Sequence, residues 1–150
     1  MAAMHILRYG ESELEYDPEL TRAVYRRVED AGPYRCSCIW CKNFFAARDQ
    51  VYPPDTLALL QQLGVTAHLE AEVVHYGRIK DGLRLYEGWW PIVGNLLKEP
   101  PLHPKSETVP FHLSFRGGYL PVEAQFRGLP LVYAVFWAHV PWVIPDAEVD

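Results

Sequence analysis

The sequence predicts an α+β fold: one domain over residues 1–150, with an N-terminal helical part followed by a mainly antiparallel sheet of about six strands. Three observations carry this expectation. Apolar residues recur at helical spacing between Asp17 and Leu63. From Val65 onward the period changes to two, as in half-buried strands. The glycine pairs Asp81-Gly82 and Gly117-Gly118 then separate alternating runs, which is how hairpins read.

Met4 to Tyr9 reads as a short first strand and Gly10 to Glu13 as a turn or loop. Asp17-Pro18-Glu19 is a helix start, with Asp17 as N-cap, Pro18 in the first helical position and Glu19 in the first turn. Leu20, Ala23, Val24 and Val28 follow at helical spacing, and Gly32-Pro33 ends the run. Trp40 to Arg48 reads as helical, with Trp40, Phe44 and Ala47 inward. After the break at Val51-Tyr52-Pro53-Pro54, Leu57, Leu60 and Leu63 form the stripe of a further helix that Gly64 closes.

Thr66 to Tyr76 alternates: Ala67, Leu69, Ala71, Val73 and His75 share one face, and His68, Glu70 and Glu72 the other. Leu83 to Glu87 is the returning strand, Gly88-Trp89-Trp90-Pro91 a break, and Ile92 to Leu97 a further apolar run. Glu99 to Pro110 holds four prolines and reads as an exposed loop. Phe111, Leu113 and Phe115 alternate on one strand, and Val122, Ala124 and Phe126 on the way back. Leu131 to Val140 is apolar on both faces, the pattern of a central strand covered on both sides. Pro141 to Pro145 closes the domain ahead of an acidic tail.

Composition narrows the class of function. Hydrophobic residues make up 49% and charged residues 22%, which suits a folded domain. The formal net charge is −5, and a nucleic-acid footprint would be basic and clustered, so no nucleic-acid partner is expected. The longest apolar run, Leu129 to Ile144, is interrupted by Pro130, His139 and Pro141, so no membrane span is expected. Three cysteines without an apolar leader after Met1 point to a reducing, cytoplasmic compartment.

All three cysteines lie within six residues, as Cys36-x-Cys38-x-x-Cys41. If a helix begins near Cys38, Cys38 and Cys41 share one face and Cys36 points back toward them. Three thiolates then converge on a soft metal ion, zinc being the most available. A closed site needs a fourth donor, from a histidine, an Asp, a Glu or a water; His75, on the apolar side of its strand, is the histidine candidate, although a core histidine with a polar partner explains it too. Two other readings stay open: a redox C-x-x-C whose thiol is acidified by the helix N-terminus, and thiols that are simply small buried hydrophobes beside Ile39, Trp40 and Phe44.

Glu70, Glu72 and His68 on one strand face offer acid–base groups, although a solvated outer face explains them more cheaply. Trp89 and Trp90 are adjacent, so they point in opposite directions: one belongs to the core and the other offers a part-exposed binding surface. No Walker loop, G-x-G-x-x-G or G-x-S-x-G is present.

Cys36-x-Cys38-x-x-Cys41-Lys42-Asn43-Phe44, Gly88-Trp89-Trp90-x-x-Val93-Gly94 and Val140-Pro141-Trp142-Val143 together resemble a group of small bacterial proteins of uncharacterised activity. The resemblance runs in separated patches from Tyr34 onward. It implies a bacterial single-domain protein and carries over no activity and no catalytic residue. The expected function is a non-enzymatic binding or interaction protein with a structural zinc site, its partner a second protein or another copy of itself. The alternative is a thiol- or metal-dependent enzyme. A third reading takes the acidic surface as the mate of a basic partner.

Overall fold

The period-two segments pair into a six-stranded antiparallel sheet in the computed structural model, which describes residues 4–29, 36–101 and 108–149. The strands are β1 (His5–Tyr9), β2 (Ser12–Tyr16), β3 (Glu72–Lys80), β4 (Leu83–Lys98), β5 (Phe111–Arg116) and β6 (Leu131–Pro141). The helices are α1 (Pro18–Tyr25), α2 (Ile39–Ala47) and α3 (Pro54–Leu63), with single 3-10 turns at Arg48–Gln50 and Ala124–Phe126. The expected α+β architecture is therefore present, with a β1–β2 hairpin ahead of the helices. Among the described residues, no helix is long and apolar enough to cross a membrane.

The sheet order is β1-β2-β4-β6-β5, and β3 also pairs with β4. Two strands share one edge of β4 because β4 is 16 residues long. Its first half, to Trp89, pairs with β3, and its second half, from Gly94, pairs with β2. Between them the edge faces α1. Tyr25 Oη donates to Pro91 O at 2.7 Å, Val93 N donates to Thr21 Oγ1 at 3.1 Å, and Asp17 N donates to Val93 O at 2.9 Å.

This arrangement corrects the expected break at Gly88-Trp89-Trp90-Pro91, which lies inside β4. In a strand, a residue's N and O point to the same edge. Pro91 O meets α1, so the donor that proline lacks would have faced a helix rather than a ladder partner. Proline is tolerated there for that reason.

Three other expectations change. Ser12 and Glu13, expected in the turn or loop, begin a strand that runs to Tyr16, buried at every second residue and paired with β1 and β4. The alternation from Thr66 gives a strand only from Glu72 onward; residues 66–71 form a turn and irregular chain, with Ala71 N donating to Trp89 O at 2.9 Å. The segment carrying Val122, Ala124 and Phe126 does not return as a strand, because β6 already occupies the position beside β5. The predicted helix stop at Gly32-Pro33 lies outside the described residues, and α1 ends earlier, at Tyr25.

The inner face of β6 (Val132, Ala134, Phe136, Ala138, Val140) packs with Trp90, Tyr86, Phe44, Leu60 and Leu63 in the main core. Its other face places Tyr133 and Val135 with Ala71 and Trp89, covered by Leu120 and Val122. Both faces of β6 are thus buried, as its unbroken apolar run requires.

Asp17 caps α1: its Oδ1 accepts from Leu20 N at 2.9 Å, and its backbone carbonyl accepts from Thr21 Oγ1 at 2.7 Å. Asp17→Ala is expected to cost about 1 kcal/mol, or a melting point lower by roughly 2–4 °C, while Asp17→Asn stays near wild type. Thermal denaturation of the three proteins checks this; an Ala variant as stable as the Asn variant would remove the cap from the account.

Candidate metal centre

Cys38 starts α2. It has the extended backbone of an N-cap (φ −70°, ψ 158°), and its Sγ accepts from the Cys41 N–H at 3.4 Å. That geometry turns the thiol of Cys38 back over the first helical turn, on the face where Cys41 projects. Cys36 enters from the preceding segment and its thiol lies 3.2 Å from Cys38 Sγ. The three sulfurs all lie within 4.8 Å of one another, so the cysteines are positioned to hold a metal ion. Cys36 is exposed, Cys38 half-buried and Cys41 buried, which gives the cluster an open outer side and a closed inner one.

Cys38 and Cys41 differ in acidity. Partial burial pushes Cys38 up, but the Cys41 backbone N–H and then the Cys36 and Cys41 thiols favour its thiolate, and the net direction is down. Burial, reinforced by the two neighbouring thiols, pushes Cys41 far above an ordinary cysteine. Of these two thiols, Cys38 is therefore the readier thiolate. A coordinated cation would reverse the situation of Cys41, since a coordinating thiol is deprotonated outright.

The helix that carries the cluster is fixed from three sides. Asn43, fully buried, donates through Nδ2 to Pro141 O at 3.0 Å and accepts from Val143 N at 2.8 Å. Lys42 pairs with Asp146 at 3.0 Å on the surface. Phe44 enters the core against Tyr86 and Phe136. Tyr86 Oη donates to Trp40 O at 2.8 Å, tying the first turn of α2 to β4.

The cysteines open onto a cleft of about 520 Å³ between α2 and the β3–β4 hairpin. His75 lines it, so the structure brings the expected fourth donor to the same cleft. It does not bring it into the group of converging donor atoms, which among the described residues consists of the three sulfurs. The His75 ring is stacked on Trp40 (centroids 5.0 Å apart, 13° between planes) and meets Tyr86 edge-on. Its Nε2 lies 3.5 Å from Arg84 Nη1.

Arg84 is buried completely and paired with Glu148 at 3.3 Å, with its guanidinium over the Trp142 ring. Arg78, on the cleft rim, pairs with Asp81 at 2.8 Å. Neither Arg84 nor Asn43 showed its role in the sequence. A lone arginine between apolar residues on a strand gave no sign that its charge is buried, and the partners of Asn43 lie about a hundred residues away.

The other expected site residues fall elsewhere. Trp89 and Trp90 do point to opposite faces, but both are buried, 7% and 0% exposed, because the second face of the sheet is also covered. Their indole N–H groups donate to Pro121 O and Ala67 O, both at 2.9 Å. No exposed tryptophan surface exists at this pair. Glu70 does not share a solvated face with Glu72 and His68: it is fully buried, hydrogen-bonded to Tyr52, while His68 is exposed.

No protein-family model, no curated protein and no solved structure matches the chain.

Proposed function

We propose that this chain is a small metal-dependent binding protein, in which Cys36, Cys38 and Cys41 hold one zinc ion. The observation that carries the proposal is the convergence of three sulfurs at the N-terminus of α2. Thiolates suit soft and borderline ions, and zinc is the most available of these. Cys36 precedes α2 and Cys41 lies within it, so one ion ties the approaching segment to the first helical turn. The resemblance to small bacterial proteins fits this reading and adds no activity to it.

The test is elemental analysis of the untagged protein beside a Cys38→Ser variant. About one equivalent of zinc is expected in the wild type and essentially none in the variant. Losing an ion held at about a thousand times its dissociation constant removes roughly 4 kcal/mol. For a domain of this size that lowers the melting point by about 10 °C. A metal-free wild type, with a variant equally stable, would overturn the proposal and return the thiols to the buried or redox readings.

The cleft beside the cysteines favours one second reading, that of a metal-dependent enzyme, because a catalytic zinc keeps three protein ligands and an open position.

A further inference from the structure

We infer that the fourth coordination position of the metal is filled from the cleft, by a neutral nitrogen donor carried on a small aromatic or apolar molecule. The inference rests on the metal reading above. The converging group supplies three donors among the described residues, one short of a closed tetrahedral site. The side chain nearest in chemistry, His75, is held by stacking on Trp40 and by Arg84, so it serves as wall rather than ligand. The cleft that all three cysteines line is about 520 Å³, within the range of roughly 300–1,000 Å³ that small-molecule sites occupy.

The charge balance selects the ligand. Three thiolates already outweigh a divalent cation, leaving the centre one unit negative. An anionic fourth ligand would need a compensating cation, and both guanidiniums on the cleft are engaged with carboxylates, Arg84 with Glu148 and Arg78 with Asp81. Trp40, Val73, Val74 and Tyr86 give the cleft a largely apolar wall, which suits the body of an aromatic base.

The experiment loads the full-length protein with Co(II) and titrates imidazole, following the visible d–d bands, with acetate as the charged comparison. The expected result is a saturable band shift with imidazole and binding of acetate at least tenfold weaker. In His75→Ala a saturable imidazole shift is still expected, since the ring lines the cleft but is not a ligand. Acetate binding as tightly as imidazole would overturn the neutral-donor assignment. An imidazole-insensitive wild type, with a His75→Ala spectrum that differs and becomes sensitive, would make His75 the fourth ligand and overturn the inference. Insensitivity in both proteins would show the position closed by another group and overturn it equally. Cobalt that gives no thiolate charge-transfer band in the near ultraviolet would refute the metal reading itself, and this inference with it.

Discussion

Glu70→Ala is expected to destabilise the protein by about 3–5 kcal/mol, lowering the melting point by roughly 10 °C. Glu70 is completely buried and accepts from Tyr52 Oη at 2.5 Å, while Arg48, itself only 10% exposed, lies 3.5 Å away. Truncation leaves the Tyr52 hydroxyl without its acceptor and the Arg48 guanidinium without its carboxylate, inside a core formed by Trp90, Phe111 and Phe136 around Tyr52. Arg48 keeps its bond to His68 O at 3.2 Å, which places the expected cost within that range rather than above it.

The same group sets a pH dependence. Burial raises the Glu70 pKa, against the opposing pull of Arg48 and of the Tyr52 hydrogen bond. The folded state therefore binds the proton more readily than the unfolded chain. The resulting stabilisation is fully present below the unfolded carboxyl value of about 4.3 and is lost as pH rises through the raised folded value. Glu70→Gln retains an acceptor for Tyr52 and removes the titration. Denaturant melts across mildly acidic pH should show a shallower loss of stability toward neutrality in the Gln variant. Parallel curves for the two proteins would exclude Glu70 as the source.

Gly94→Ala is expected to cost about 3 kcal/mol, at the upper end of what overpacking does. A Cβ there would lie 2.1 Å from Glu15 O and 2.8 Å from Tyr16 Cα. Both are backbone atoms of β2, so no side-chain rotation relieves the clash and the β1–β2 hairpin must retreat from β4. Hydrogen exchange at the β2 amides should accelerate along with the fall in melting point. Gly117→Ala is the control: its nearest neighbour is the Leu96 side chain at 3.7 Å, an ordinary contact. Equal stability of the two variants would refute the steric account.

Local signals were legible where a side chain acts on its own neighbourhood. Asp17-Pro18 marks the start of α1 and Gly64, at φ +87°, the end of α3, because caps and left-handed turns are chosen by the residues that adopt them. The thiol cluster was legible for the same reason, since six residues suffice to bring the sulfurs together. What the residues concealed was long-range. Pro91 looks like a break until α1 is seen to stand where a ladder partner would be. Glu70 looks solvated until Tyr52 and Arg48 are seen to enclose it. One of the pair Trp89 and Trp90 looks exposed until Leu120 and Val122 cover the second face. The stretches Cys41 to Phe44 and Val140 to Val143 likewise look unrelated, yet Asn43 bonds to Pro141 and Val143 across the molecule.

That last pairing bears on the order in which the molecule can assemble. The bonds that seat α2 reach Pro141, Val143 and Asp146, and Glu148 in turn holds Arg84 and the backbone of Gly82. During synthesis the cysteines emerge from the ribosome early, whereas the surface that receives their helix is complete only after residue 148 has been added. Complete seating of α2 thus requires the C-terminal segment and closes loops about a hundred residues long, contacts of high sequence separation whose loop entropy has to be overcome before they form.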